Sequence, residues 1–258
     1  MRVESRVVND GSTDGSLNII NLYKGFDDRV KILNQENQGA AVARNNGIVA
    51  AKGRYLSILD SDDLFDSNML EEMFLHAEKT SSKVVLCPFR YIGDIPTAKR
   101  GLTILDNFDI NQAFDIKNYP DQVFQVAAPN AWSKLFKRDF ILKNNIFFQD
   151  LKSCNDIYFS YVAIVLSNRT SFLYESYVSY RDNRNGSISS TRGECFNNII
   201  YAMQAVKKIL IREGVFNKVK RSFLRRSLNC FAYEIQFVKD ADVNEFIKSS
   251  SGFLEDNY

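Results

Sequence analysis

The first hundred residues alternate between short runs of branched apolar residues and longer stretches with helical spacing. The strand-like runs cover residues 6–8, 30–33, 55–59 and 83–87, and a helical pattern follows each of the first three. Strands that alternate with helices are typical of sheets whose parallel strands are joined by crossover helices. The sequence therefore predicts an α/β fold, with a mostly parallel sheet flanked by helices.

The pattern changes at about residue 107 and again at about residue 191. Residues 107–190 contain an apolar helical stretch at 157–166 and strand-like runs at 171–174 and 177–180. From 191 to 258 the apolar residues recur at helical spacing, so we expect a helical tail. That tail has a basic side formed by eight residues: Lys207, Lys208, Arg212, Lys218, Lys220, Arg221, Arg225 and Arg226.

Composition and charge disfavour several classes of protein. Thirty-three basic residues against 31 acidic residues give a net charge of +2, which does not favour nucleic acid as a partner. The sequence has no apolar run of the ~20 residues that a membrane-spanning helix needs. Four dispersed cysteines and a single histidine, His76, disfavour a disulfide framework or a histidine-based metal site. Any chemistry here therefore depends on carboxylates.

Three carboxylates follow the strand predicted at 55–59, in the run Asp60-Ser61-Asp62-Asp63. Ligands bind at the carboxyl ends of strands in such sheets, and acids at alternate positions can share one hard divalent cation. Asp60 and Asp62 are thus candidate ligands for Mg²⁺ or Mn²⁺. The alternative is a solvated turn that caps the next helix through Asp63 or Asp66.

A second polar turn, residues 9–15, matches the beginning of a calcium-binding loop. Its twelfth position is Asn21 instead of a bidentate glutamate, and a strand instead of a helix precedes it, so we reject an EF-hand. Two interpretations are left. The turn only begins a helix, or Asp10 and the backbone N–H groups of the turn hold a nucleotide base or ribose.

Four blocks in order resemble family 2 glycosyltransferases of the GT-A fold. They are VVNDGSTDGS at 7–16, NQG at 37–39, ARNNG at 43–47 and LDSDD at 59–63. The resemblance continues through NAWSKLF at 130–136, NDIYF at 155–159 and the region 180–188. It implies a GT-A-like domain over 1–190, with a nucleotide-binding part at 1–106, an acceptor-side part at 107–190 and an unassigned tail at 191–258.

The resemblance implies an inverting transfer of a sugar from a nucleoside diphosphate donor, with a UDP-sugar as the first choice. The acceptor would be a hydroxyl of a glycan or of a lipid-linked molecule. Asp10 would read the donor base, Asp60 would face the ribose and Asp62 would bind the metal. The matching blocks add Ser12 and Arg44 to the donor side.

Asp156 lies where the family has its general base, and Asn155 replaces the acid that usually precedes it. The alternative for Asp156 is a capping or first-turn acid of the following helix. Trp132 either stacks on an acceptor sugar or packs in the core. Arg181 and Arg184 either clamp the donor phosphates or belong to a solvated strand edge.

Family members begin with a strand and a helix ahead of the block at 7–16, a unit that the residues before Arg6 do not supply. We expect its absence to expose a sheet edge or an apolar face and to favour a homodimer. One rival hypothesis is therefore a truncated remnant with weak nucleotide binding at most. Another, a metal-dependent phosphohydrolase, is disfavoured because the sequence offers no second metal cluster.

Residues 1–10 lack the apolar stretch of a secretory signal, so we expect a cytoplasmic enzyme of polysaccharide biosynthesis. The basic side of the tail would favour peripheral contact with the inner face of the membrane. The alternative is that its apolar side packs on the catalytic domain. The apolar residues concerned are Phe196, Ile199, Ile200, Phe216, Phe223, Leu224, Leu228 and Phe231.

Overall fold

The computed structural model describes residues 2–95, 98–102, 109, 111–181 and 193–256. Its strands are β1 (Ser5–Asp10), β2 (Val30–Gln35), β3 (Tyr55–Ser57), β4 (Leu64–Phe65), β5 (Val84–Leu86), β6 (Phe89–Tyr91), β7 (Lys134–Lys137), β8 (Thr170–Phe172) and β9 (Val178–Tyr180). Its α-helices are α1 (Ser16–Phe26), α2 (Ala40–Ala50), α3 (Met69–Thr80), α4 (Arg138–Lys143), α5 (Asn155–Leu166), α6 (Asn198–Arg212), α7 (Phe216–Glu234) and α8 (Val243–Glu255). The strands and helices expected in the first hundred residues are confirmed.

The strands form three small sheets. β1 and β2 pair in parallel. β7 lies between β3 and β5 and is antiparallel to both, while β8 is parallel to β5. In the third sheet β9 is antiparallel to β4 and parallel to β6.

The α/β class is confirmed, and the sheets are mixed where the sequence predicted a mostly parallel arrangement. Among the described strands, three pairs are parallel and three are antiparallel. The reason lies in β7. A parallel neighbour needs a crossover connection, usually a helix. β7 instead follows a segment whose described part contains one short 3₁₀ turn, Ile116–Asn118.

The turn after β1 is held tightly against the segment that follows β2. Asn9 Nδ2 donates to Asn34 Oδ1 on the neighbouring strand at 3.1 Å. Gly11 has a φ of +71°, and a Cβ at this position would lie 2.7 Å from the backbone nitrogen of Asn37. Glycine is therefore required at this position both for its backbone conformation and for the close approach of the two segments.

We expect Gly11→Ala to lower the free energy of unfolding by about 1–3 kcal/mol, because alanine is strained at positive φ and would clash with backbone. Gly15→Ala is the matched control, since no atom lies within 4 Å of its added Cβ. The control should change stability by about 0.5 kcal/mol at most. Urea denaturation followed by circular dichroism measures both, and equal stabilities of the two variants would contradict the tight turn.

Helix α1 leaves an apolar face open to solvent. All of its residues are at least partly exposed, and Phe26 is 79% exposed. An apolar groove runs between this helix and the first two strands, lined by Ser5, Val7, Ile19, Ile20, Tyr23 and Val30. An apolar face of α1 is therefore accessible to solvent.

The helical tail shares its core with the rest of the chain. Ile199, Ile200, Phe223 and Phe231 are buried in the same cluster as β5, β7 and α5. Phe196, Phe216 and Leu224 are partly buried against that cluster. Of the apolar residues named for membrane contact, only Leu228 is exposed, at 54%.

The apolar side of the tail thus packs on the rest of the chain, which is the alternative that the sequence left open. The expectation that this apolar side meets lipid is wrong for the seven other side chains, because they pack against the core, and Leu228 alone among the eight stays exposed. In the described ranges, the structure has no helix that is both long and apolar enough to cross a membrane.

Candidate active site

Asp10 lies at the end of β1, where its carboxylate binds the turn that precedes α2. Asp10 Oδ1 accepts from Gln35 Nε2 and from the backbone N–H of Gln38, both at 2.8 Å, and Oδ2 accepts from Gly39 N–H at 2.9 Å. The carboxylate therefore satisfies backbone donors at the N-terminus of a helix. Asp10, which the sequence predicts to bind the sugar donor, therefore also holds the turn before α2, a structural role that the sequence did not reveal.

Ser12 lies in the same turn and is exposed. Its backbone N–H donates to Asn9 Oδ1 at 3.2 Å, and Asn9 is itself buried. The hydrogen bond fixes the path of the turn beside Asp10. The turn thus presents Ser12 to solvent at the carboxyl end of β1, as expected for a ligand-binding edge of the sheet.

The aspartate turn, residues 60–63, is held by two arginines. Arg44 Nη2 donates to Asp60 Oδ1 at 2.6 Å. Arg181 binds the other end of the turn. Its side-chain Nε donates to the backbone oxygen of Asp62 and its backbone N–H donates to Asp63 Oδ1, both at 2.9 Å. Arg181 therefore lies beside the predicted donor site. Arg184 is outside the described residues.

Asp63 is the buried member of the turn and was not predicted as a site residue. It is 7% exposed, and its Oδ2 is buried without a hydrogen-bond partner among the described residues. Burial raises the pKa of Asp63 to about 6, and the charges of Asp60 and Asp62 add to the effect. Its place in a run of three acids was the available signal, since like charges this close repel one another.

The carboxylate oxygens of this turn suit a hard divalent cation, although they do not form a complete metal site. Within the described ranges, no group of three or more His, Cys, Asp or Glu side chains is placed to hold a metal ion. The buried, unpartnered oxygen of Asp63 beside two further carboxylates indicates an excess of negative charge. Carboxylate oxygens are the ligands that Mg²⁺ and Mn²⁺ prefer, so Asp60 and Asp62 fit a metal that is completed by other ligands.

Asp156 lies in the first turn of α5 and is partly buried. The residue at the N-cap is Cys154, so Asp156 does not cap the helix. Burial raises the pKa of Asp156; the positive charges of Arg44 and Lys134 oppose this shift and Asp60 adds to it. A carboxyl group with a raised pKa is suited to accept a proton from a hydroxyl.

Arg44 connects the aspartate turn to the start of α5. Besides its bond to Asp60, it donates through Nη1 to Asn155 Oδ1 at 2.9 Å. Asn155 immediately precedes the candidate base. The structure thus brings together three of the predicted residues, Arg44, Asp60 and Asp156, although they are separated widely in sequence.

Trp132 is 8% exposed and lies in a second, smaller core cluster. The Tyr180 ring stacks on it, with centroids 5.3 Å apart and planes 5° from parallel, and Phe89 meets it edge-on. This burial favours the core interpretation. Tyr180 is partly exposed, whereas Trp132 is buried.

Lys134 is a fully buried cation that the sequence analysis did not single out. Its ammonium donates to Ala128 O at 2.8 Å, to Asn130 Oδ1 at 3.0 Å and to Asn130 O. Burial lowers the pKa of Lys134 to about 7. The ammonium ties down the loop that carries Trp132. A lysine followed directly by Leu135 and Phe136 in a short strand was the signal for it.

Comparison with known proteins places these residues in a family. A model of glycosyl transferase family 2 matches residues 1–140. The chain is 29% identical over 238 residues to the cholesterol galactosyltransferase of Borreliella burgdorferi. That match covers 90% of this chain and 65% of the relative, so the chain spans slightly less than two thirds of the relative's length.

Two solved structures resemble the fold. Staphylococcus aureus TarS in complex with UDP-GlcNAc matches with a TM-score of 0.61 at 18% identity, over 99% of this chain and 80% of that one. The mannosyltransferase PcManGT of Pyrobaculum calidifontis, in complex with GDP-Man and Mn²⁺, matches with a TM-score of 0.55 at 14% identity, over 96% and 70%. These likenesses confirm the GT-A-like fold.

Proposed function

This chain belongs to glycosyl transferase family 2, and we propose that it transfers a sugar from a UDP-sugar to a hydroxyl of a glycan or lipid-linked acceptor, with inversion. The observation that carries this proposal is the bridge from Asp60 through Arg44 to Asn155. It joins the predicted donor side to the helix that carries the candidate base. We further propose the division into a donor part at 1–106, an acceptor part at 107–190 and a tail at 191–258.

In this mechanism the acceptor hydroxyl attacks the anomeric carbon from the face opposite the diphosphate, and Asp156 takes its proton. General base catalysis of this kind contributes typically about 10²–10⁴-fold. The carbon–oxygen bond to the diphosphate breaks as the new glycosidic bond forms. One base on one face is sufficient, and the configuration inverts.

Asp62 and Asp60 would hold Mg²⁺ or Mn²⁺, which supplies Lewis-acid neutralisation of the charge on the departing diphosphate. Asp10 and Ser12 would bind the nucleoside, while Arg44 and Arg181 would add positive charge beside the phosphates. Arg184 would also bind the sugar donor, and this assignment rests on the sequence alone. Trp132 would contribute to the acceptor side from the core, by packing behind Tyr180, whose ring covers one of its faces.

The neighbours support a nucleotide-sugar donor but differ in nucleotide, since TarS was solved with UDP-GlcNAc and PcManGT with GDP-Man. The name of the Borreliella relative supports a lipid hydroxyl as an acceptor.

Two experiments test the proposal. The first is a titration of fluorescent UDP with and without Mn²⁺. The second screens UDP-GlcNAc, UDP-galactose and GDP-mannose for release of the nucleotide. Metal-dependent binding of UDP supports it, whereas failure to bind any of these nucleotides would favour the rival of a non-catalytic remnant.

The exposed face of α1 supports a homodimer, because burial of each large apolar side chain contributes about 1.5–3 kcal/mol. The side chains concerned are Ile19, Leu22, Tyr23 and Phe26. We expect Leu22→Lys to shift the chain toward monomer in sedimentation equilibrium at micromolar concentration. Leu75→Lys, at an equally exposed position of α3, should leave the association unchanged. Dimers that persist in Leu22→Lys would exclude this face.

The basic side of α7 supports peripheral contact with the inner face of the membrane, where a cytoplasmic enzyme of polysaccharide biosynthesis would meet a lipid-linked acceptor. Lys218, Arg221 and Arg225 are exposed there, beside Leu228. Each basic residue near an anionic surface adds about 1 kcal/mol. We expect binding to phosphatidylserine vesicles at low salt, weakened several-fold in Arg221→Glu/Arg225→Glu. Co-sedimentation measures it, and equal binding to phosphatidylcholine vesicles would contradict the electrostatic basis.

A further inference from the structure

One guanidinium group joins three separate parts of the fold. Arg44 on α2 binds Asp60 in the aspartate turn and Asn155 at the first position of α5, through different nitrogens. Its guanidinium also lies over the Phe148 ring, 5.3 Å from the ring centroid. The planar fork of arginine holds its donors in a fixed geometry that reaches two separated acceptors, and the compact ammonium of a lysine at the same place does not supply that geometry.

The next residue of α2 holds the segment that leads into α5. Asn45 Nδ2 donates to Phe148 O at 2.9 Å, and Phe148 N–H donates to Asn45 Oδ1 at 2.8 Å. The Phe148 ring stacks on Phe159 of α5, with centroids 4.2 Å apart and planes 9° from parallel. Arg44 and Asn45 therefore fix both the approach to α5 and its first residue.

The start of α5 depends on these contacts. Cys154, at its N-cap, has a φ of +58°, in the left-handed region that residues other than glycine seldom adopt. Asn155 is 5% exposed, and its Nδ2 donates to Leu151 O at 3.2 Å. An amide oxygen buried to this extent is stabilised by a charged donor, and loss of that donor leaves it unsatisfied.

We propose that Arg44 and Asn155 form a positioning pair that holds Asp156 in place relative to the aspartate turn. The proposal rests on the proposed role of Asp156 as the base. It also accounts for Asn155 at a position where family members usually have an acid, because an amide supplies the same oxygen acceptor to Arg44. Arg44 acts on Asp156 through the start of α5 and not by contact with the reacting hydroxyl.

Hydrogen–deuterium exchange tests the placement of α5 without any need for activity. Asn155→Leu removes the acceptor and also the Nδ2 donor to Leu151 O, Asn155→Asp keeps the acceptor and removes only that donor, and Arg44→Lys removes the fork while keeping the charge. We expect exchange of the amides at 159–161 to become about tenfold faster in Asn155→Leu and Arg44→Lys, since a charge-assisted bond is lost. Asn155→Asp should exchange within about threefold of the wild type, because only the neutral bond to Leu151 O is lost, and the exposed control Asn229→Leu should exchange like the wild type. Unchanged exchange in Asn155→Leu would overturn the proposal.

Turnover tests the consequence for catalysis. We expect Asn155→Leu to lower kcat by about 10- to 100-fold, as small misplacements of a catalytic group do, with the donor KM changed by about threefold at most. Asn155→Asp should retain most of the turnover. The double variant Arg44→Lys/Asn155→Leu should be no slower than the slower single variant, because both break one connection.

The two proposals fail in different ways. Suppose that the wild type binds and turns over no nucleotide-sugar, while the variants show the expected exchange pattern. The proposed function is then rejected and the positioning pair is established. An active wild type with unchanged kcat in a folded Asn155→Leu variant would reject the pair and leave the function intact. A purely structural bridge would lower stability in Asn155→Leu without changing kcat at a temperature where the protein is folded, and that result would also overturn the proposal.

Discussion

Asp156→Asn is expected to bind the donor like the wild type and to lose about 100-fold or more of its turnover, because a general base acts in the transition state and not in the ground state. The amide is almost the same size as the carboxylate, so the fold of α5 should be preserved. Isothermal titration with UDP and a coupled assay for nucleotide release measure the two effects separately.

The control is Asp150→Asn, an exposed carboxylate close to α5 in the chain, which should have the activity of the wild type. Burial and Asp60 raise the pKa of Asp156 above its ordinary value, so the wild-type rate should fall as the pH decreases through that raised pKa. The falling limb should vanish from the residual activity of Asp156→Asn. Full turnover in the variant would return Asp156 to the role of a first-turn acid.

Asp62→Asn is expected to abolish the enhancement of UDP binding by Mn²⁺ and to reduce turnover by about 100-fold or more, because the charge on the departing diphosphate is then not neutralised. The backbone carbonyl of Asp62, which accepts from Arg181, is retained in the variant, so the turn should keep its shape. Titration of UDP at fixed Mn²⁺ and without metal measures the enhancement.

Asp139→Asn is the matched control, since the Asp139 side chain is 83% exposed and lies in the first turn of α4. It should bind UDP with the wild-type dependence on Mn²⁺. The same dependence in Asp62→Asn would show that Asp62 does not hold the metal. An unfolded Asp62→Asn protein is excluded as the cause by recording its circular dichroism spectrum in the same buffer.

The amino-acid sequence was sufficient to predict the α/β class and the positions of the polar turns. Strand and helix periodicities are local properties, and the runs at 30–33 and 83–87 became β2 and β5 with boundaries shifted by one or two residues. Gly11 and the aspartate turn were likewise visible, because glycine and clustered acids mark turns wherever they occur. The family blocks added the candidate base at Asp156.

Strand direction and the burial of side chains could not be predicted from local sequence patterns. The position of β7 between β3 and β5 depends on pairing between residues far apart in the chain, which no local pattern records. The tail's apolar side resembled that of a lipid-binding helix, but periodicity shows only that such a side exists. Only the tertiary structure shows that the apolar side of the tail is covered by packing against α5.

The partners of the charged residues were also a tertiary property. Arg44 looked like a donor-binding residue, yet its bonds to Asp60 and Asn155 span 16 and 111 positions of sequence. Lys134 in a short apolar strand became a buried cation because the loop at 128–130 folds its carbonyl groups around it. Residue types and their order thus specify which chemistry is available. Which groups meet, and which are withdrawn from water, depends on long-range packing, since electrostatic and hydrogen-bond energies follow distance and burial instead of sequence separation.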